Sequence, residues 1–261
     1  MIVVKFGGHA MKDENGDFAK AIAAAQQSGV KLVVVHGGGP QIDKALKDAA
    51  IASEFVGGFR VTTPEIFEVV ERVLSNEVGP EVVNSLQSAG VNAVALSGRA
   101  SQSLIAKPLR KLVDGSPVDL GLVGVITAVD PQAINSVLNE GKVPVISPIA
   151  TDENFKAGLN VNADLAAAAI AGALSADSLI IMTDVAGIYR SWPDTNSLIS
   201  QITYDELDAL KSTFAEGMAP KVKACLDAID GGASAVRIID GTDPSAFALA
   251  LGNSGGTLVT K

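Results

Sequence analysis

The chain has 261 residues and a formal net charge of −9 at pH 7, with a pI of about 4.7. A main role in binding nucleic acid or an anionic membrane would require a basic face, so this charge argues against both. Cys225 is the only cysteine, which excludes an internal disulfide and predicts a reducing, cytoplasmic location. Its position on an apolar helical stripe predicts that it fills the core.

Short apolar runs alternate with amphipathic stretches almost throughout the chain, which indicates a mostly parallel α/β sheet. The apolar runs predict strands at 2–6, 31–35, 91–96, 143–147, 178–183, 235–239 and 256–260. The amphipathic stretches predict helices at 16–28, 40–50, 64–88, 131–139, 163–174, 205–212 and 218–230. Between 99 and 127 the helical period is lost, and a hairpin-like excursion is expected. We predict one domain over 1–261 whose two lobes, about 1–150 and 151–261, share one sheet.

Three glycine-rich turns directly follow apolar runs: Gly7-Gly8, Gly37-Gly38-Gly39 and the segment 183–187. Ligands bind at the carboxyl ends of parallel strands, and glycine lets backbone N–H groups approach a phosphate. Pro40 suits the first turn of a helix, so the second turn predicts an anion site at a helix N-terminus. The Walker A and Gly-x-Gly-x-x-Gly patterns are both absent, which disfavours a dinucleotide-dependent oxidoreductase.

Two lysines and one aspartate are candidates for handling phosphate charge. Lys5 lies inside the first apolar run, where an unpaired buried ammonium would be costly, so we expect it to meet an anion at the strand end. Asp164 falls in the first turn of an alanine-rich helix, with Asn162 as the natural N-cap. Lys221 follows Pro220 at another helix start, near a positive dipole end. For each lysine the alternative is a solvated surface position.

Two polar residues are candidates for binding a substrate. Arg60 follows Gly57-Gly58-Phe59, and a guanidinium binds a carboxylate through two parallel hydrogen bonds. Asn160 and Asn162 alternate along an extended segment, so both point to one side and can hydrogen-bond a polar ligand. A solvated loop arginine and simple helix capping are the alternatives. His36 is expected to order its turn, because no serine or cysteine partner pattern accompanies it.

Six motifs, in chain order, resemble those of the amino acid kinase family, and the resemblance covers essentially the whole chain. The three turns mark the family, and the other three motifs look like the branch that acts on N-acetyl-L-glutamate. The six motifs are Val3-Val4-Lys5-Phe6-Gly7-Gly8, Val35-His36-Gly37-Gly38-Gly39-Pro40-Gln41-Ile42, Gly58-Phe59-Arg60-Val61-Thr62, Asn160-Val161-Asn162-Ala163-Asp164, Thr183-Asp184-Val185-Ala186-Gly187-Ile188-Tyr189 and Gly217-Met218-Ala219-Pro220-Lys221-Val222.

The resemblance implies a three-layer αβα sandwich with a mainly parallel central sheet of about eight strands. It also implies transfer of a phosphoryl group from ATP, carried with Mg²⁺, to the γ-carboxylate of N-acetyl-L-glutamate, the second step of arginine biosynthesis. In this family the acceptor carboxylate is already ionised, so no side chain acts as nucleophile or base. Catalysis would rest on positioning and charge neutralisation.

The same resemblance assigns roles to individual residues. Lys5 and Lys221 would stabilise the transferring phosphoryl group, and Asp164 would hold both lysines. The substrate-binding residues would be Gly38, Gly39, Arg60 and Asn160, with Arg60 on the α-carboxylate. The nucleotide-binding residues would be Lys5, Gly7, Gly8, Thr183, Asp184, Gly187, Ile188, Tyr189, Met218 and Lys221. No side chain is expected to ligate a metal directly.

By the same resemblance we expect a homodimer that L-arginine does not inhibit. Arginine-inhibited members look to have a helix before the first strand and a His and Glu in a C-terminal effector site. This chain begins at the strand and carries an apolar run at 245–251. The dimer helix is expected within 64–88. Its apolar stripe is Ile66, Val69, Val70, Val73 and Leu74, and packing of that stripe on the sheet is the alternative.

Two other functions remain open from the sequence. A kinase for an aminoadipate derivative in lysine biosynthesis has the nearest chemistry, although the motif at 58–63 favours N-acetyl-L-glutamate. The other is a catalytically inactive relative that senses a nucleotide or an amino acid. Such a sensor would have no need to keep Lys5, Asp164 and Lys221 together.

Overall fold

A computed structural model of the protein describes residues 1–7, 13, 15–214 and 218–261. Gly8, which the sequence places at the nucleotide, lies outside the described residues. Within them, no helix is long and apolar enough to cross a membrane.

The described elements alternate between strands and helices for most of the chain. The strands are β1 (Ile2–Phe6), β2 (Leu32–His36), β3 (Phe55–Val56), β4 (Phe59–Arg60), β5 (Ala93–Ser97), β6 (Leu104–Pro108), β7 (Val123–Val129), β8 (Val143–Ser147), β9 (Ile149–Asp152), β10 (Gly158–Val161), β11 (Ser178–Thr183), β12 (Gln201–Thr203), β13 (Ala235–Asp240) and β14 (Thr257–Thr260). The helices are α1 (Asp17–Gln27), α2 (Gly39–Asp48), α3 (Pro64–Arg72), α4 (Gly79–Ser88), α5 (Gln132–Asn139), α6 (Ala163–Ala173), α7 (Tyr204–Leu210), α8 (Ala219–Asp230) and α9 (Ala246–Leu251).

All seven strands predicted from the sequence lie in one eight-stranded sheet. The eighth strand of this sheet, β12, was not predicted. The order is β12-β14-β13-β11-β1-β2-β8-β5. Every neighbouring pair is parallel except β13 and β14, which are antiparallel. β1 pairs with β2 on one side and with β11 on the other. The sheet therefore runs continuously through both halves of the chain, while the division into two lobes near residue 150 stays a prediction.

Helices cover both faces of this sheet. Val3 and Val4 are adjacent on β1, and alternation sends their side chains to opposite faces. Val3 packs in a core that also contains Ile170 of α6 and Cys225 of α8, whereas Val4 packs in a core that contains Phe18 of α1. The predicted three-layer αβα sandwich with a mainly parallel sheet is confirmed. The prediction that Cys225 fills the core is also confirmed, since it is fully buried.

The excursion between 99 and 127 forms part of a small second sheet. β6 and β7 pair antiparallel, as the sequence indicated. β9 and β10 pair antiparallel near the boundary that the sequence predicted between the two lobes, and β6, β7, β9 and β10 close into a barrel. The barrel brings Asn160 on β10 to the side of the main sheet that carries α6, because the barrel strands share a core with α6.

The helix predicted at 64–88 is interrupted by a π-helical segment, Val73–Val78, between α3 and α4. Pro80 has no N–H to donate to the preceding turn, and the backbone N–H of Gly79 bonds five residues back to Leu74. In the proposed dimer stripe, Ile66, Val70, Val73 and Leu74 are buried in the chain's own core. The alternative of packing on the sheet therefore accounts for most of the stripe.

Helices α6 and α8 approach each other closely through two glycines. A Cβ at Gly172 would lie 2.8 Å from Cα of Gly231, closer than real Cβ atoms come to backbone. The glycine pair therefore sets the spacing between two helices, which pack at closer range than larger residues allow. Asp164 lies in the first turn of α6 and Lys221 in the first turn of α8, so the two helices that meet at these glycines also carry the two charged side chains.

Candidate active site

The carboxyl ends of the central strands form the candidate site. From β1 the chain adds β2 on one side of the sheet, and from β11 it adds β13 on the other. The strand order thus reverses between β1 and β11, and ligands of open parallel sheets bind at such a switch point. The turns after β1, β2 and β11 carry the three glycine-rich motifs, so the fold brings them to one edge.

Lys5, Asp164 and Lys221 meet in a buried ion cluster at this edge. The Nζ of Lys5 lies 3.1 Å from Oδ1 of Asp164, and the Nζ of Lys221 lies 3.0 Å from Oδ2. Lys5 also donates a hydrogen bond to the carbonyl of Met182, at 3.3 Å. Lys5 lies on a central strand and is 7% exposed, so the solvated-surface alternative is wrong for this residue.

The two lysines keep Asp164 ionised. Burial by itself raises the pKa of this carboxyl, but the charges of Lys5 and Lys221, and their hydrogen bonds, lower the pKa to about 2. Asn162 caps α6 as predicted, by accepting the backbone N–H groups of Asp164 and Leu165. Cys225 stays a protonated thiol, because burial first, and then the charge of Asp164, raise its pKa.

The turn after β2 presents backbone amides to a cavity. Gly38 precedes α2, and no side-chain hydrogen bond caps this helix. The N–H groups of its first turn are therefore left for a ligand or water. A Cβ at Gly38 would lie 2.5 Å from Leu74 Cδ2, so the π-helical segment packs directly against the turn. Gly37 also approaches Gly7, since a Cβ on Gly37 would lie 3.4 Å from Gly7 Cα.

His36 lies beneath this turn and is fully buried. Its Nδ1 lies 2.7 Å from the carbonyl of Gly37. Because that oxygen accepts, Nδ1 carries the proton and donates. The Nε2 atom has no hydrogen-bond partner among the described residues, and burial lowers the pKa of the imidazole to about 4. A neutral, buried imidazole that orders the turn is the role expected from the sequence.

The four predicted substrate residues Gly38, Gly39, Arg60 and Asn160 line one cavity. Arg60 lies on β4 and is 6% exposed, so the alternative of a solvated loop arginine is wrong. Its Nη1 lies 2.8 Å from Oδ1 of Asp43 and donates to Oγ of Ser53 at 2.6 Å. Asn160 donates its Nδ2 to Oγ1 of Thr62 at 3.1 Å.

The predicted nucleotide residues occupy several elements around the same edge. Thr183 ends β11 and Asp184 follows it, while Met218 directly precedes α8. The Tyr189 ring contacts the exposed Trp192 ring edge-on, with 5.1 Å between centroids. Ile188 and Met218 pack on the same core, which places the Gly187–Tyr189 stretch (187–189) and the start of α8 on one face of the sheet.

Ile188 differs from the other nucleotide candidates. Its side chain is fully buried, its N–H donates to Oγ1 of Thr257 at 2.8 Å, and its carbonyl accepts from Ile199. A Cβ at Gly187 would lie 2.4 Å from the same Thr257 oxygen. Both residues therefore dock their segment on β14, and in this structure Ile188 has no exposed group to offer a ligand.

Several residues that line the cavity were not identified from the sequence. Phe55 and Phe59 come from the β3–β4 hairpin and Leu74 from the π-helical segment. The hairpin had a sequence signal, because Gly57-Gly58 between two short runs that each contain a phenylalanine is typical of a tight two-residue turn. Both glycines have positive φ. The π-helical segment had only Pro80 as a signal.

The fold and the ion cluster define a class of protein, and comparison with known proteins agrees. The model of the amino acid kinase family matches residues 1–240, and the chain belongs to this family. It is similar to an acetylglutamate kinase of Beutenbergia cavernae, with 47% identity over 252 residues that cover 95% of this chain and 81% of the relative. An acetylglutamate kinase of Clavibacter michiganensis subsp. michiganensis is 49% identical over 259 residues, 98% of this chain and 86% of the relative. The family predicted from the motifs is therefore confirmed.

A solved structure of a Streptococcus mutans protein has the same fold. It superposes with a TM-score of 0.82 at 30% identity, and the match covers 99% of this chain and 98% of that one. Because nearly the full length of both chains is matched, the similarity extends over the eight-stranded sheet and the barrel.

The burial of His36 predicts a pH-dependent loss of stability. Its folded pKa of about 4 lies below the unfolded value of 6.5, so the unfolded chain binds a proton first. Stability from this group is complete above pH 6.5 and is lost as the pH falls towards 4. Between pH 7 and pH 5 the loss should be about 2 kcal/mol. His36→Asn keeps a donor near Nδ1 and does not titrate, so its free energy of unfolding should fall by about 2 kcal/mol less over the same interval.

The measurement is urea unfolding followed by circular dichroism at pH 7 and pH 5 for both proteins. All other titrating groups are shared, so the difference between the two pH effects isolates His36. Equal pH effects in the two proteins would contradict a buried neutral imidazole.

Proposed function

We propose that this protein transfers the γ-phosphoryl group of ATP to the γ-carboxylate of N-acetyl-L-glutamate and forms an acyl phosphate. The observation that carries the proposal is the ion cluster of Lys5, Asp164 and Lys221 at the switch point of the sheet. A cavity that contains Arg60 and the uncapped turn before α2 lies directly beside it, since Asn162 and Ala163 belong to its lining.

Charge neutralisation is the chemistry that the cluster would supply. The transition state of phosphoryl transfer spreads negative charge over the equatorial oxygens and over the attacking and leaving oxygens. Lys5 approaches from β1 and Lys221 from α8, so two ammonium groups come from different elements. Asp164 stays ionised at neutral pH because its pKa is about 2. It therefore holds both lysine side chains in place before substrate arrives, which removes reorganisation from the reaction.

The acceptor would lie in the cavity lined by Arg60 and Asn160. The guanidinium suits the α-carboxylate, and Oδ1 of Asn160 suits an amide N–H of the acetamido group. The N–H groups of Gly38 and Gly39 would bind the γ-carboxylate and the phosphoryl oxygens. The acceptor carboxylate is ionised at neutral pH, so this arrangement needs no general base, and buried neutral His36 stays a structural residue.

ATP would bind on the β11 and α8 side of the ion cluster, against Gly7, Thr183, Asp184, Gly187, Tyr189 and Met218, with Ile188 positioning its segment. Among the residues that the structure describes, no group of three or more histidine, cysteine, aspartate or glutamate side chains could hold a metal. Mg²⁺ would therefore reach the site on the ATP phosphates, where it neutralises part of their charge. The protein would therefore hold the ion indirectly, through the residues that bind the phosphates, rather than in a carboxylate cage.

The relatives support this substrate over the alternatives. Proteins named acetylglutamate kinase are 47% and 49% identical over nearly the whole chain, which favours neither an aminoadipate kinase nor an inactive sensor. The intact ion cluster also supports an active enzyme. A cytoplasmic location and insensitivity to L-arginine remain predictions from the sequence.

A homodimer is the expected assembly, and its support is the family resemblance. The apolar stripe of α3 and the π-helical segment is largely used within the chain. A dimer built on the predicted 64–88 segment would therefore use its polar outer face, with residues such as Glu68, Arg72 and Asn84. Light scattering should give twice the 26.6 kDa of one chain. A mass of one chain at micromolar concentration would contradict the dimer.

Turnover with a panel of acceptors tests the substrate. ADP release is measured with ATP and Mg²⁺ and with N-acetyl-L-glutamate, N-acetyl-L-aminoadipate, L-glutamate or L-aspartate. We expect turnover with N-acetyl-L-glutamate and no loss on addition of L-arginine. Preference for the aminoadipate derivative would overturn the substrate, and no turnover with any acceptor would favour the sensor.

Lys221→Ala tests the ion cluster. We expect kcat to fall by about a hundredfold or more, because the ammonium group meets charge that develops in the transition state. Lys223→Ala is the matched control on the same helix. Lys223 pairs with Asp227 at 2.8 Å on a more exposed face, and its removal should leave kcat within about twofold. Equal kcat in the two variants would remove Lys221 from the proposed mechanism.

A further inference from the structure

The guanidinium of Arg60 is held on one edge and one face by three exposed residues. Asp43 of α2 contacts Nη1 at 2.8 Å, and Ser53 accepts from the same nitrogen at 2.6 Å. The ring of Phe55 lies 4.5 Å from the guanidinium carbon. Arg60 itself is buried, whereas Asp43 is 58% exposed. Three exposed residues therefore hold a buried cation of the cavity lining from the solvent side.

The contacts with Asp43 and Ser53 use only Nη1, so the Nε and Nη2 edge of the guanidinium is left for a ligand. Among the residues that the structure describes, Nε and Nη2 of Arg60 make no hydrogen bond, while Nη1 has two partners. Nε and Nη2 form the fork that binds a carboxylate through two parallel hydrogen bonds. Because Arg60 lines the cavity, a guanidinium fixed at Nη1 presents this fork to a bound acceptor.

We propose that Asp43 is a positioning residue that orients Arg60 and thereby gives the enzyme its preference for acceptors with an α-carboxylate. The inference rests on the proposed function, and it adds a specificity-determining residue to that site. It also predicts whether Asp43 strengthens or weakens ligand binding, because a carboxylate beside Arg60 has two opposite effects on the affinity for a carboxylate ligand. One effect is competition, since Asp43 offers Arg60 a negative charge and repels a second one. The other is preorganisation, since Asp43 holds a long side chain in one rotamer.

At this site we expect the effect of preorganisation on ligand affinity to be larger than the effect of charge repulsion. Asp43 is more than half exposed, so its repulsion of a ligand carboxylate acts largely through water and is screened by salt. Arginine loses much rotamer entropy when it is fixed, and a ligand that has to order it binds more weakly. Removing Asp43 should therefore weaken the binding of N-acetyl-L-glutamate rather than strengthen it.

The test measures kcat and KM for two acceptors that differ only in the α-carboxylate. N-acetyl-L-glutamate carries it, and 4-acetamidobutanoate lacks it while keeping the acetamido group and the reacting carboxylate. For Asp43→Ala we expect the KM for N-acetyl-L-glutamate to rise about tenfold with kcat within about twofold. With 4-acetamidobutanoate as the acceptor, kcat/KM should not change. Asp43→Asn keeps an acceptor oxygen for Nη1 and should raise KM by less than about threefold.

Asp48→Ala is the matched control. Asp48 lies on the same helix, is exposed and pairs with Lys44 at 2.8 Å, so its removal should leave both acceptors unaffected. If the Ala variant folds poorly, the Asn variant is measured in its place. A disturbed helix is recognised because it would raise KM for both acceptors alike.

Each other outcome overturns the inference. A lower KM for N-acetyl-L-glutamate in Asp43→Ala would show that Asp43 competes with the ligand. An unchanged KM, or equal changes for the two acceptors, would show that Asp43 has no role in reading the α-carboxylate. Wild-type protein that turns over neither acceptor would instead contradict the proposed function itself. Wild-type protein that uses both acceptors equally would leave that function standing but would show that Arg60 does not read the α-carboxylate, and the inference would fall.

Discussion

The ion cluster of Lys5, Asp164 and Lys221 is the constraint on which the rest of the structure depends. Three charges are placed where water is largely excluded, and such burial is favourable only if every charge has a partner. Removal of one partner from a buried pair costs about 3–5 kcal/mol. The cluster also joins the central strand β1 to the first turns of α6 and α8. A costly arrangement of charge is thus built into the middle of the fold.

Much of the surrounding architecture keeps this cluster in place. The close approach of Gly172 to Gly231 lets α6 and α8, which carry Asp164 and Lys221, pack closely at their C-terminal ends. Asn162 caps α6, so the carboxylate lies in the first turn of a well-ended helix. The core on the same face is rich in alanine, which lets helices lie close to the sheet. Close packing at glycine and alanine residues therefore supports the helices that carry Asp164 and Lys221.

The second half of the site depends on backbone rather than charge. The turn after β2 exposes N–H groups, and it is supported from below by neutral His36 and from the side by Leu74 of the π-helical segment. A π-helical segment shifts the register of side chains within a helix, and such segments are frequent at functional sites. Here Leu74 of this segment lies against Gly38 and lines the cavity, so the helix that covers the sheet also shapes the substrate cavity.

Local patterns in the sequence determined the strands of the main sheet, most helices, the caps and the residue types at the site. These features follow from neighbours along the chain, such as Asn162 before Asp164 or Pro40 after three glycines. β12 and the barrel strands β9 and β10 were beyond such reasoning, because their pairing partners lie elsewhere in the chain. The π-helical segment had Pro80 as its only local signal.

The tertiary structure alone decided which groups meet. Asp164 contacts Lys5 and Lys221, and Asp43 contacts Arg60. Oγ1 of Thr257 accepts a hydrogen bond from the backbone N–H of Ile188. Each pair joins separate elements of the fold, so no local periodicity specifies it, and only the contacts of Asp164 were implied by the family resemblance. Its geometry follows from strand order, helix spacing and the cost of leaving a buried charge or N–H group without a partner.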